Sequence, residues 1–378
     1  MKINQTFSLN TKIIFNPGSL NELSKLQGET ALIISDKILE EIGYVKTIKG
    51  YLAEAGLTSH VFTDVRPDPD TKILADGLKI IQEIKPDVLV AMGGGSAIDA
   101  AKGIFYSAHQ MLGDAFQRPY FVAIPTTSGT GSEVTDFSVI TAEGDKIVLV
   151  NDYMAPDLAI LDSDCVASAP RKVVIDTGMD VLTHATEAYV ANDATDFTDA
   201  LAEKAIRLLF ENLLLIAEDI NNEVARDHVH NASCMAGIAF NQAGLGINHS
   251  LAHAIGGTLH LAHGRCNALL LEEVIAFNGE LEKSANNHAA KRYAKLAELL
   301  GLPARTVREG LVSYIDAIKK LKKQLGIESG FADLGIEADT YQAAIEKMAE
   351  AAMMDRCTPV NPIKPAKEEL IKIYKKVY

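Results

Sequence analysis

Asp87-Val88-Leu89-Val90-Ala91-Met92-Gly93-Gly94-Gly95-Ser96 decides the fold of the first half of this chain. An apolar run opened by Asp87 ends in three glycines, and a helical pattern carrying Asp99 and Lys102 follows. A short continuous apolar run bounded by turn residues reads as a strand buried on both faces. Glycine permits close backbone approach and positive φ. The start of the following helix offers N–H groups and a positive dipole end to a pyrophosphate. The stretch is not a G-x-G-x-x-G fingerprint and lacks the Lys-Ser/Thr of a P-loop. The same glycines also read as an ordinary turn.

Similar signals recur on either side. Residues 31–35 form an apolar run ending at Asp36, and residues 37–56 carry helical spacing that stops at Gly56. Residues 59–63 and 120–124 read as strands, residues 64–70 with Pro67 and Pro69 as a loop, and residues 71–85 as a helix. This alternation predicts a Rossmann-like α/β domain over residues 1–167, with a mainly parallel sheet and ligands at the carboxyl ends of its strands. From residue 168 the pattern turns helical, over 200–216, 279–300 and 305–325, with a last helix from near Pro365. An all-α domain over residues 168–378 is expected. The boundary at 167–171 is a change of element type, without a flexible linker.

Size and composition agree with two globular domains. The chain has 378 residues, beyond the usual span of one core, and 48% are apolar. No apolar run is long enough to cross a membrane, and Met1-Lys2-Ile3-Asn4-Gln5 lacks the apolar stretch of a signal peptide. A cytoplasmic protein is expected. A net charge of −14 argues against nucleic acid or an anionic membrane as partner. Cys165, Cys234, Cys266 and Cys357 form no CxxC pair, which argues against disulfides or a cysteine zinc site and for buried free thiols.

A second cofactor segment is Pro125-Thr126-Thr127-Ser128-Gly129-Thr130-Gly131-Ser132-Glu133-Val134-Thr135. Its hydroxyls and glycines suit phosphate and ribose oxygens. It also reads as a capped helix start with Glu133 at the third position. Asp36 could accept hydrogen bonds from an adenosine ribose and repel a 2′-phosphate, favouring NAD over NADP; a helix N-cap explains it equally well.

The chemistry concentrates further on. Asp180 and His184 are four apart, so a helix puts them on one face, and His249 and His253 repeat the spacing. Gly256-Gly257 is expected to break that helix before His263-Gly264. One carboxylate with several imidazoles suits Fe(II) or Zn(II). Five candidates exceed what one ion needs, so one acts as a nearby proton carrier. His260 reads as structural, and His60, His109, His228, His230 and His288 as surface or packing residues.

At these motifs the chain resembles the iron-containing, or group III, alcohol dehydrogenases. The resemblance runs through Gly93-Gly94-Gly95-Ser96 with Asp99 and Lys102, and the 125–135 segment. It continues through Thr177-Gly178-Met179-Asp180-Val181-Leu182-Thr183-His184, the 249–264 segment and Cys357-Thr358-Pro359-Val360-Asn361-Pro362. The run Asp196-Phe197-Thr198-Asp199-Ala200-Leu201-Ala202-Glu203-Lys204 is similar to the propanol and ethanol dehydrogenases of propanediol and ethanolamine use. The resemblance implies a dehydroquinate-synthase-like architecture and metal ligands Asp180, His184, His249 and His263, with His253 unligated and relaying a proton. It implies NAD contacts at Asp36, Gly94, Gly95, Ser96, Asp99, Thr126, Thr127, Thr130, Thr135 and Lys146. It further implies Fe(II), with Zn(II) as substitute, a homodimer or higher homo-oligomer, and compatibility with a bacterial microcompartment. The chain departs from the family's common pattern at Ala262, where Pro is frequent, and at Ile363, where Arg is frequent.

The expected reaction is reversible hydride transfer between a short-chain primary alcohol, such as propanol or ethanol, and NAD. The alternatives are a zinc polyol dehydrogenase of the glycerol type, a dehydroquinate-synthase-like lyase, and a non-catalytic nucleotide-binding metal protein. The first two resemble the layout but lack a ligand equivalent to His184. The third is disfavoured by the extra histidine, because purely structural sites are usually closed.

Overall fold

The computed structural model describes residues 6–142 and 145–378. The reading of Met1 to Gln5 as lacking an apolar leader therefore falls outside the described residues. The chain divides into two compact units, Met1–Ala169 and Pro170–Tyr378.

In the first unit the elements run β1 (Lys12–Phe15), β2 (Thr30–Ile34), α1 (Lys37–Glu41), α2 (Tyr44–Glu54), β3 (Thr58–Phe62), α3 (Thr71–Ile84), β4 (Val88–Gly93) and α4 (Gly95–Leu112), then β5 (Tyr120–Pro125), β6 (Phe137–Ala142), β7 (Asp145–Val150) and β8 (Leu158–Leu161). Among the described residues six strands form one parallel sheet in the order β1-β8-β5-β4-β2-β3, while β6 and β7 pair antiparallel. The chain steps from β2 outward to β3, then returns past β2 to β4. Crossovers are right-handed, so reversing direction sends the helices to opposite faces. The core follows that rule. Leu32, Ile34, Leu89 and Ala91 pack with Ile73, Ile81, Ile98 and Ile104 of α3 and α4. Ala31, Ile33, Val88, Val90 and Met92 pack on the other face with Val45, Ile48 and Leu52 of α2. The strand order therefore reverses between β2 and β4, where sheets of this type leave a crevice.

The expected helix over 37–56 is two helices. Gly43, at φ +97°, separates α1 from α2 in a backbone conformation that side chains rarely adopt. The helix start read into 125–135 is instead a short 3₁₀ turn, Ser132–Val134, entered through left-handed Gly131. The sequence reading passed over β1, β8 and the β6–β7 pair.

The second unit holds nine helices among the described residues: α5 (Arg171–Val190), α6 (Asp196–Glu218), α7 (Glu223–Ala243), α8 (Ile247–Leu259), α9 (His263–Asn278), α10 (His288–Leu299), α11 (Val307–Leu325), α12 (Ala338–Met354) and α13 (Lys367–Val377). An α/β part followed by an all-helical part is the architecture expected from the sequence. Two details differ. Gly256-Gly257 lies inside α8, which ends instead at left-handed His260, φ +54°. The helix expected over 279–300 begins only at His288, after left-handed Glu280 and Ala285, with Asn287 capping the Ala290 N–H. No helix among the described residues is long and apolar enough to cross a membrane. All four cysteines are free and buried.

His230 on α7 is 1% exposed, and burial pushes its imidazole down to about 4. The unfolded chain takes up that proton near 6.5, so the stability this residue supports is complete above 6.5 and is lost as pH falls towards 4. Replacing His230 with Gln should therefore reduce the stability loss between pH 6.5 and 4 by up to about 3 kcal/mol. Urea unfolding at both pH values measures it, and an equal loss in both proteins would exclude His230 as a source of acid sensitivity.

Candidate metal and cofactor sites

Three helices of the second unit bring the predicted metal residues together. Asp180 and His184 share one face of α5, His249 lies in the first turn of α8, and His263 is the first residue of α9. The start of α9 can approach α5 because residue 264 is glycine: a Cβ there would lie 2.1 Å from the Asp176 carbonyl oxygen. Arg265 fastens the same junction, its Nε donating to Asp176 Oδ1 at 2.7 Å.

The donor atoms of Asp180, His184 and His249 lie within 4.8 Å of one another, all buried. His249 Nε2 is 3.6 Å and His263 Nε2 is 3.5 Å from Asp180 Oδ1. Ligands held about 2.1 Å from one tetrahedral ion sit about 3.4 Å apart, so this spacing suits a shared cation. The donor chemistry, one carboxylate with three imidazoles and no thiolate, fits Fe(II) or Zn(II). Burial alone would push the Asp180 carboxyl up, but the imidazoles of His263, His184 and His249 outweigh it and hold it well below the ordinary range.

Two residues that the sequence reading passed over complete this arrangement. Glu187, 3% exposed, accepts from His249 Nδ1 at 2.5 Å and from the Asn248 N–H at 2.7 Å. His249 is thus bracketed by Asp180 at one ring nitrogen and Glu187 at the other. Burial opposes its protonation, yet these two carboxylates push it up to about 9. A carboxylate on the far nitrogen of a metal-binding histidine fixes the tautomer and makes the ring a stronger donor. Asn267 Nδ2 donates to Asp180 Oδ1 at 2.6 Å and stands 3.1 Å from the Nε2 atoms of both His249 and His263. Both residues carried a signal: Glu187 is three after His184 and Asn267 four after His263, each on its helix's ligand face.

His253 stands apart. Its ring stacks on His263, with centroids 5.2 Å apart, while its Nδ1 donates to Asp355 Oδ2 at 2.8 Å. That bond leaves Nε2 as the nitrogen available to another partner.

In the first unit most of the residues predicted to bind the cofactor gather at the carboxyl ends of β2, β4 and β5. Gly93 pairs with Pro125 in register, and the Thr126 N–H donates to the Gly93 carbonyl at 3.0 Å. No side chain caps the start of α4. A Cβ on Gly95 would lie 2.8 Å from Thr130 Cγ2, and one on Gly94 would meet the Thr127 side chain at 3.5 Å. Gly94, Gly95, Ser96, Thr126, Thr127 and Thr130 thus form one patch. Asp36 follows the neighbouring strand and caps α1 by accepting from the Leu39 N–H at 2.9 Å. It flanks the crevice where the strand order reverses. This cradle fits a dinucleotide: a helix N-terminus for the pyrophosphate and a carboxylate beside it for a ribose.

The remaining cofactor residues are differently placed. Asp99 is buried behind the patch, accepting from Ser132 Oγ at 2.7 Å and the Val139 N–H at 3.2 Å. Burial raises its carboxyl against the pull of Lys102. Lys102, wholly buried, donates to the Ser132 carbonyl, Thr135 Oγ1 and the Phe137 carbonyl at 2.6, 3.0 and 2.9 Å, and burial lowers its ammonium to about 8. Asp99, Lys102 and Thr135 therefore hold the 132–139 segment in place. Lys146 is exposed and paired with Asp68 at 2.8 Å.

Residues 10–163 match the family described as iron-containing alcohol dehydrogenase, and residues 174–378 match the C-terminal part of the Fe-containing alcohol dehydrogenase family. The chain belongs to the iron-containing alcohol dehydrogenase family. It is 42% identical over 363 residues to the 1-propanol dehydrogenase of Citrobacter freundii, covering 95% of each chain. It is 39% identical to the aldehyde-alcohol dehydrogenase of Streptococcus pneumoniae, matching 99% of its own length but only 46% of that longer relative. Its fold matches the iron-containing alcohol dehydrogenase of Thermococcus thioreducens with a TM-score of 0.90 at 35% identity, over 99% of both chains. Family membership places the chain among oxidoreductases.

The Glu187–His249 contact makes a direct prediction. Glu187→Gln should weaken binding of a divalent metal by about 10–100-fold while the far-ultraviolet circular dichroism stays unchanged. Competition with a chromophoric chelator reads the affinity. Unchanged binding would show that Glu187 does not tune the histidine.

Proposed function

We propose that the chain catalyses reversible oxidation of a short-chain primary alcohol to its aldehyde, with NAD(H) as hydride carrier and Fe(II), or Zn(II) in its place, as metal. The grouping of Asp180, His184 and His249, with His263 Nε2 3.5 Å from Asp180 Oδ1, carries this reading. An ion bound by these four residues supplies Lewis-acid polarisation of the substrate oxygen. NAD(H) supplies or accepts the hydride.

The chain's own residues do the rest. Asp180, buried and held as a carboxylate, supplies the negative donor. Glu187 and Asn267 keep His249, His263 and Asp180 oriented on one point. His253, held by Asp355 at Nδ1, moves the alcohol proton away through its Nε2. The N-terminus of α4 binds the pyrophosphate, with hydroxyls of Thr126, Thr127 and Thr130 beside it. Asp99, Lys102 and Thr135 keep that wall in place from behind, and Lys146 adds a positive charge at its margin. Asp36 accepts from the adenosine ribose and repels a 2′-phosphate. The likeness to a 1-propanol dehydrogenase supports a short-chain alcohol as substrate. A homo-oligomer in the cytoplasm, or in a propanediol-type microcompartment, is part of this proposal.

NADH consumption with propanal, on protein stripped of metal and reloaded anaerobically, tests the reading. Turnover should be absent in the stripped protein and return with Fe(II) or Zn(II); full activity in the presence of a chelator would defeat it. Asp36→Ser keeps the α1 cap but removes the charge. It should raise kcat/KM for NADPH relative to NADH, and an unchanged ratio would remove Asp36 from cofactor choice.

A further inference from the structure

A second cluster of donors lies beside the first. His253 of α8 and Asp355 and Cys357, just past the end of α12, place a nitrogen, a carboxylate oxygen and a sulfur within 4.8 Å of one another. The cluster is built rather than accidental. Asp355 Oδ1 accepts from the Cys357 N–H at 2.8 Å and from Ser250 Oγ at 3.3 Å, and Thr358 Oγ1 donates to the Ala352 carbonyl at 2.6 Å and lies 2.8 Å from Ser250 Oγ. These bonds tie the turn after α12 to α8. Cys357 is buried, while His253 keeps 40% of its side chain accessible, which leaves a way in. The His253 Nδ1 hydrogen is directed at the Asp355 carboxylate, and the Cys357 thiol, with its own hydrogen, lies within 4.8 Å of it. A single cation can replace both hydrogens.

We propose that His253, Asp355 and Cys357 form a second cation site, selective for a thiophilic divalent ion such as Zn(II) or Cd(II). The mixed nitrogen, oxygen and sulfur set favours such ions over Fe(II) or Mg(II), whereas the sulfur-free set around Asp180 does not discriminate in this way. Binding releases the thiol proton to solvent, forms a metal–thiolate bond, and leaves the imidazole hydrogen on Nε2. No oxidation or reduction occurs. The ion withdraws His253 from proton movement and thereby slows turnover. That consequence rests on the role given to His253 above; binding does not.

The test is Cd(II) titration of the full chain after its first site has received one equivalent of Fe(II) under anaerobic conditions, read by the ultraviolet thiolate-to-cadmium charge-transfer band. The band should saturate at one Cd(II) per chain, persist in Cys266→Ser and vanish in Cys357→Ser. His253→Gln should keep the band but weaken binding by about tenfold or more. Absence of the band, or a band that survives Cys357→Ser, would overturn the site. Binding of this kind in a chain that reduces no aldehyde would keep it and overturn the proposed reaction instead.

Discussion

The second unit is organised by a buried negative charge that has to be answered. Asp180 is 4% exposed and Glu187 3%, and between them stands His249. Two carboxylates removed from water are tolerable only with a cation and a full set of hydrogen bonds. His184, His263 and Asn267 face Asp180, and the Asn248 N–H completes Glu187. Protonation of His249, which the two carboxylates favour by pushing that imidazole up to about 9, is one way to meet the need. A divalent ion meets it better, because it can draw on every nitrogen at once. Helix placement then follows from the site: Gly264 lets α9 close on α5, and Arg265 locks them together.

A different constraint governs the first unit. Right-handed crossovers send helices to both faces of a parallel sheet, and the reversal between β2 and β4 opens a crevice at the ends of those strands. The sequence places Asp36 at one lip and the glycines at the other. The threonines after β5 add hydroxyls, and the buried Lys102 ties down the segment behind them. Phosphate-binding geometry here comes from backbone and topology more than from charged side chains, which agrees with a strongly acidic chain.

Much of this was legible in advance, for identifiable reasons. Asp180 with His184 and His249 with His253 show the helical i, i+4 repeat, which survives any packing. The strand before Gly93 is a continuous apolar run, which only a doubly covered strand tolerates. What escaped notice depended on shorter or longer range. β1 and β8 have four residues each, too few to establish a pattern. The 279–287 stretch kept helical composition, but two non-glycine residues at positive φ break it, and only context holds them there. Gly256-Gly257 is tolerated in α8, where an added Cβ on Gly256 would meet the Leu261 carbonyl at an ordinary 3.4 Å and one on Gly257 would meet nothing within 4 Å, so the pair marks neither close packing nor an end. Glu187 and Asn267 sat at readable spacing, yet their importance appears only when His249 arrives beside them, 62 residues from Glu187 and 18 from Asn267. Asp355 has no local signal at all, since its partner is 102 residues upstream.

X-ray absorption at the zinc edge, on metal-free Cys357→Ser protein given one equivalent of Zn(II), tests the central claim most directly. The account predicts a single nitrogen and oxygen shell at about 2.0–2.1 Å, with the outer scattering of three imidazoles and no sulfur. A sulfur contribution at about 2.3 Å, or the signature of one imidazole only, would contradict it.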